Sequence, residues 1–183
     1  MTEPEFWSLI EQSRESFDPN RRDGNMGRQV KRLEQLLRGC GPDSIARFGA
    51  LYSSIRGRAY SNDLWACAYI REGCCSDDAF MDFRAWMVSM GERPFLAMLE
   101  SADNVADYCD QPGVESIFFE EFSYVAGDVY KELVDPEGIP DSYYDGIGLP
   151  PLAGNDWDPN DIASLQSRFP RMWTKRCRIS WPN

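Results

Sequence analysis

The sequence predicts an all-α, mainly helical fold: one domain, an irregular multi-helix bundle around a buried central helix, with a long Pro/Gly-rich segment wrapped on it. Three observations predict it. Apolar residues recur at the three- and four-residue spacing of a helix face through the first 134 positions. Ser, Thr, Asp or Pro opens most of these stretches, and Gly closes them. Hydrophobic residues make up 43% and aromatics 13% of 183 residues, enough to bury a core. The expected division is a helical core over 1–134, with a wrapping segment plus C-terminal helix over 135–183 packed on the same domain.

The first helix is expected over residues 4–17, with Thr2 or Glu3 before it and Pro4 in the first turn, where a missing N–H costs nothing. Phe6, Leu9, Ile10 and Phe17 give it an apolar side, and "DPNRRDGNMG" reads as a loop. Residues 26–38 carry Val30, Leu33, Leu36 and Leu37 at helical spacing, and "GCGPDSI" interrupts them. Asp43 or Ser44 is the expected cap of a third helix, with Ile45, Phe48, Leu51, Tyr52 and Ile55 along one side.

A fourth helix runs from an N-cap at Ser61 or Asn62 to a stop at Gly73. Residues 64–70 are apolar on every side, the pattern of a buried helix, so this is the expected centre. Ser76 then caps a helix that Gly91 ends, with Asp77 and Asp78 in its positively polarised first turn. At 100° per residue, Phe80, Phe83, Trp86, Met87 and Met90 share one apolar arc. Asp78, Asp82 and Ser89 fall on the far, solvated side, and Asp77 and Arg84 together mark one border of the arc.

One or two short helices are expected over 92–106, and "CDQPGVE" breaks the chain. A long helix over 114–134 is expected to carry Phe118, Phe122, Val125, Val129 and Leu133 as its core stripe. Residues 135–157 are too rich in Pro, Gly and Asp for a regular element, while their tyrosines and tryptophan favour an ordered wrap over the surface. Asp158 is the expected cap of a last helix with Pro159 at its first position. The five basic residues of "RFPRMWTKRCR" are expected to dock on the acidic surface of the same molecule.

The net charge of -11 disfavours nucleic acid and anionic lipid as partners, because phosphates are repelled. No secretory leader is visible in "MTEPEFWSLIEQSRES", and no apolar run approaches the ~20 residues of a membrane span, so the expectation is a cytoplasmic protein with no membrane contact. The six cysteines form no C-x-x-C pair, and Cys74 and Cys75 are adjacent, which is poor disulfide geometry. They read as buried free thiols, with thiolate stabilisation at the helix N-terminus as the functional alternative for Cys74 and Cys75. There is no histidine, which removes Ser-His-Asp and Cys-His catalysis and mixed Cys/His zinc sites. Whether the chain is an enzyme stays open; catalysis would need carboxylates, Tyr, Lys, Cys or a cofactor.

Asp77, Asp78 and Asp82 spell D-D-x-x-x-D, a pattern suited to magnesium with a diphosphate. The wheel sends Asp77 away from the other two, and capping already explains acids there, so neither a metal nor a cofactor is expected. Arg84 can pair with Asp77 or with Asp63, or can contribute with Tyr60, Asp63, Trp65 and Asp77 to a small polar pocket. Residues 135–157 would be its lid. Glu120, Glu121 and Tyr124 read as a solvated helix face, with an acid–base pair as the alternative.

The order "EFWSLIEQS", "AYSNDLWACAYI", "GCCSDDAFMDFRAWMVSMG" and "FEEFSYVAGDVYKEL" resembles the bacterial family called domain of unknown function 4240. Its F-W, D-L-W-x-A-A-Y, G-C-S-D-D-x-F-x-x-F-R-x-W-L and F-x-Y-V-A pattern falls here on Asp63, Trp65, Ser76, Asp77, Asp78, Phe83, Arg84 and Trp86, among others. The closing "FPRMW" is similar to a P-R-L-W-type ending. The sequence departs by an extra cysteine before Ser76, by Cys67 and by Met87. The resemblance implies a bacterial, cytosolic, mainly helical domain and brings no activity with it.

The function read first is therefore a non-enzymatic protein-interaction module, immunity- or regulator-like, with a basic protein as partner. A small-molecule binder or enzyme at the Asp63/Asp77/Arg84 border is the second reading. A structural accessory to a neighbouring gene product is the third.

Overall fold

A computed structural model describes residues 1–178, so residues 179–183 of the expected C-terminal region lie outside it. Among the described residues there are nine α-helices: α1 (Glu3–Arg14), α2 (Asn25–Arg38), α3 (Pro42–Arg58), α4 (Asn62–Glu72), α5 (Asp77–Ser89), α6 (Glu92–Glu100), α7 (Val125–Leu133), α8 (Ile162–Arg168) and α9 (Pro170–Thr174). Short 3-10 turns lie at Ala102–Asp107, Glu120–Ser123 and Asp141–Tyr144. The described residues contain no strand; an isolated parallel bridge joins Ser61 and Ala153. None of these helices is long and apolar enough to cross a membrane.

The helix starts follow local chemistry. Thr2 and Glu5 form a reciprocal capping box on α1, the Thr2 backbone N–H donating to the Glu5 carboxylate at 2.7 Å. Ser61 accepts from the Leu64 N–H, and Ser76 from the Ala79 N–H, at 3.3 and 3.2 Å. Gly73 closes α4 at φ 80°, a conformation that strains any residue with a Cβ. On α3, Gly41 occupies the cap position and Pro42 the first turn, so the expected cap Asp43 lies inside the helix and pairs with Arg47 at 2.7 Å.

The core joins α1, α3, α4, α5 and α6 through Phe6, Ile10, Phe48, Ile55, Ile70, Phe83, Met87 and Phe95, all essentially inaccessible. Leu64, Ala66, Cys67, Ala68 and Ile70 of α4 are buried, as are all of residues 83–89 in α5. Ser89, expected on the solvated side, is therefore a correction: it is buried and its hydroxyl donates to the Trp86 carbonyl at 2.7 Å. Side chains from α2 and α1 cap that end of α5. Gln29 Nε2 and Arg14 Nη1 donate to the Ser89 carbonyl at 2.8 and 3.2 Å, satisfying an acceptor the helix leaves open.

Three expected helices end or begin elsewhere. The first stops at Arg14, where Ser13 and Ser16 hydroxyls bond back to backbone carbonyls and compete with the ladder. The long helix over 114–134 is only α7, preceded by the turn Glu120–Ser123. Ile117 and Phe119 are buried, Phe118 only partly, and the Phe119 N–H donates to the Asp82 carbonyl at 3.1 Å. Packing on α5 thus overrides a weak propensity in a Val/Ile/Phe-rich stretch. Of the expected stripe, Phe122, Val125 and Val129 are buried, while Leu133 is 50% exposed. Finally, Asp161 rather than Asp158 caps α8, because Asp158 turns the chain first by accepting from the Asn160 N–H.

Residues 135–157 form an ordered strap across α3 and the start of α4. Tyr143 Oη donates to Asp43 at 3.1 Å, and Tyr60 and Asn62 exchange backbone hydrogen bonds with Ala153 at 3.1 and 2.8 Å. Tyr69 and Trp157 meet ring to ring at 5.0 Å. The basic C-terminal region docks on carboxylates: Arg168 on Asp63, Arg171 on Asp107, and Lys175 on Asp110.

Candidate binding pocket at Arg84

Arg84 lies in the inward-facing half of α5, where helical phase gives a cationic side chain no route to solvent. It is 3% exposed. Its guanidinium rests against the rings of Tyr60 and Phe80, 4.9 and 5.0 Å from their centres, and Nε reaches the Phe80 carbonyl at 3.4 Å. Nη1 is buried without a hydrogen-bond partner. Rings of this kind recover part of the lost hydration but cannot accept every N–H.

Beside it runs α3. Arg84, Arg56, Ser53 and Gly57 line one wall of a cavity of about 210 Å³, and the strap closes it with Tyr144, Ile147, Gly148 and Leu149. A second cavity of about 370 Å³ shares Ser53, Arg56 and Tyr144 and continues past Tyr52, Tyr124, Asp128 and Lys131. The strap can lie this close because residue 49 is glycine: a Cβ there would come within 2.9 Å of Ile139 Cδ1 and of Tyr144 Oη. Gly49, Ser53 and Gly57 sit four residues apart and leave one face of α3 shallow.

The electrostatics are unbalanced. Burial and the neighbouring Arg56 push the Arg84 pKa down to about 10, since both oppose its charged form. Arg56 itself lies over the Tyr52 ring at 5.4 Å, and Tyr52 shares a 2.8 Å hydrogen bond with Ser123. Among the described residues, no carboxylate forms an ion pair with either guanidinium. The nearby acid Asp82 has its pKa raised by burial and then by Glu120, Asp78 and Glu121, with Arg56 opposing the rise.

The structure divides the residues singled out in the sequence. Tyr60, Trp65 and Arg84 converge on Phe80; the Trp65 and Phe80 rings stack at 4.7 Å, and the Trp65 indole N–H donates to the Cys75 carbonyl at 2.9 Å. Asp63 is turned away into another cavity, where it binds Arg168 at 2.5 Å. Asp77 is exposed in the first turn of α5. Arg84 thus takes neither acid as its ion-pair partner. Arg56, Ser53 and Tyr144 were missed; the available signal was the small-residue face of "GALYSSIRG", which marks a helix side where another segment can approach.

The site offers paired cations, hydroxyls and aromatic walls. Among the described residues no group of three or more His, Cys, Asp or Glu is placed to hold a metal ion. Burial and then Cys74 hold the Cys75 thiol up at about 12, against the alternative of a stabilised thiolate at this helix N-terminus. The family described as "Protein of unknown function (DUF4240)" matches residues 1–132, which include every wall of the pocket except the strap. No curated protein and no solved structure matches the chain.

Proposed function

We propose, for a chain that belongs to the DUF4240 family, that its function is to bind a small molecule in the strap-covered pocket at Arg84. One observation carries this: a buried arginine with no ion-pair partner among the described residues lines a cavity that a separate segment walls on its other side. A purely structural arginine would meet its hydrogen-bonding needs within the fold, since an unpaired buried cation is costly. The pocket combines apolar walls with a few convergent polar groups, the composition of ligand sites generally. We also propose a bacterial cytosol as its setting, supported by Cys40, Cys67, Cys74, Cys75 and Cys109, which form no disulfide.

The test is a thermal-shift screen of the full chain against metabolite classes, repeated on Arg84→Met. A true ligand raises the melting temperature of the parent by mass action and leaves the variant unmoved. A screen in which no compound distinguishes the two proteins would end this reading.

A second reading, recognition of a basic protein, is favoured by a different face. Asp78, Asp82, Glu120 and Glu121 are close enough to raise the Asp82 pKa together, and exposed Met81 and Tyr124 lie among them. Such a surface steers a basic partner at long range. Glu120→Lys/Glu121→Lys should slow association with that partner and flatten its salt dependence; unchanged association would remove this face from consideration.

A further inference from the structure

We infer that the ligand group held at Arg84 is an oxyanion, a carboxylate or a phosphate, gripped jointly by Arg84 and Arg56 beneath the strap. This rests on the binding reading above and names the chemistry of the bound group.

The comparison among cavities supports it. A cavity of about 530 Å³ contains Arg47, but that arginine is already bonded to Asp43 within the same wall. The cavity of about 430 Å³ contains Arg168, and Asp63 in its lining neutralises that charge. In both, the anion is supplied by the chain itself. Of these three cavities, the one at Arg84 brings two arginines into its lining with no carboxylate among the residues that surround it.

Two like charges in a partly desolvated space repel, and an anion between them turns that repulsion into two attractions. A planar guanidinium matches the spacing of carboxylate or phosphate oxygens, and Arg84 and Arg56 both belong to this lining. Ser53 and Tyr144, also in the lining, bring hydroxyl donors that suit the same oxyanion. Asp82 and Arg56 attract each other across the adjoining cavity without forming an ion pair, so Arg56 remains available. The strap supplies Tyr144, Ile147, Gly148 and Leu149 from the opposite wall, which reduces the water around a bound group.

The experiment measures melting temperature and calorimetric binding on the full chain at constant ionic strength. Inorganic phosphate, sulfate and succinate are the probes, and chloride is the reference. The expected result is a saturable stabilisation by at least one oxyanion over chloride. Affinity should fall about tenfold or more in Arg84→Met and in Arg56→Gln, and also in Arg84→Lys, which keeps the charge but loses the fork. Arg56 is only half-buried, so its variant tests the site even if position 84 proves intolerant. Response to phosphate and sulfate alone assigns a phosphate-type group; response to succinate alone assigns a carboxylate. No response beyond chloride, or equal affinity in Arg84→Met and the parent, would overturn the inference. A neutral compound from the screen that stabilises the parent but not Arg84→Met would overturn it as well, while leaving small-molecule binding intact.

Discussion

Two groups of arginines in this molecule live by opposite rules. Near the C-terminus, Arg168 bonds Asp63 and the carbonyls of Asn155 and Asp156, and Arg171 bonds Asn104 and Asp107. Each is partly exposed, each has carboxylate company, and each fastens one segment to another. Beside the middle of the strap, Arg84 is buried, has aromatic rings and a second arginine for neighbours, and leaves an N–H unused. The first group stabilises the fold by ordinary charge-assisted hydrogen bonds. The second holds a cation with no ion-pair partner among the described residues, and that is the feature the proposed ligand would complete.

That contrast gives its largest expected effect at position 84. Arg84→Met keeps most of the side-chain volume and removes the stranded charge, so the ligand-free protein should gain about 1–3 kcal/mol, read as a higher melting temperature. A loss of stability of that size instead would make Arg84 a structural residue and erase the distinction. Gly49→Val comes next. The Cβ clash with Ile139 and Tyr144 should displace the strap at a cost of about 1–3 kcal/mol, seen as new protease cleavage within 135–157. Unaltered cleavage would mean the strap seats elsewhere.

Arg168→Ala should cost about 1 kcal/mol, because its ion pair is partly exposed while its backbone hydrogen bonds are lost as well. Chemical denaturation of the two arginine variants side by side should therefore give opposite signs. A pH series sharpens the same point. Arg84 titrates lower in the folded state than its ordinary 12.5, at about 10. Between those values the unfolded chain binds more protons, so this group adds stability as pH rises. The advantage of Arg84→Met over the parent should be full below pH 10 and shrink above it.

The smallest effect is at Asp82, whose pKa is raised in the folded state. There the folded chain binds more protons, so the destabilising contribution is present at neutral pH and vanishes as pH falls below the folded and unfolded values. Asp82→Asn should raise the melting temperature by about 1 °C at pH 7 and by nothing in acid.

Much of the helical framework was legible because its signals are local. Thr2, Ser61 and Ser76 are caps that act within three residues, and the apolar arcs of α4 and α5 repeat within one helix. The misread segments are those where a distant partner outbid the local pattern. Residues 114–119 are held by other helices rather than by their own period, Glu115 accepting from the Met26 N–H of α2 and the Phe119 N–H donating to the Asp82 carbonyl of α5, and Ser89 is covered by side chains from α1 and α2. At the pocket, the sequence marked Arg84 as a border residue of a buried face and grouped it with Tyr60 and Trp65 in a candidate pocket. It could not mark Arg56, because a cation on a mixed helix looks alike whether it faces solvent or another arginine.

By itself, then, the sequence determined the helical class, most helix starts, the acidic surface and the absence of histidine chemistry, since caps, periodicity and composition are properties of neighbours in the chain. Only the tertiary structure decided where the charges went. Asp63 is spent on Arg168, 105 residues away, and Asp77 stays in solvent, so Arg84 is left beside Arg56 at a cavity walled by the strap. Ion pairing depends on distance in space, which segments far apart in the chain set together and no local spacing encodes.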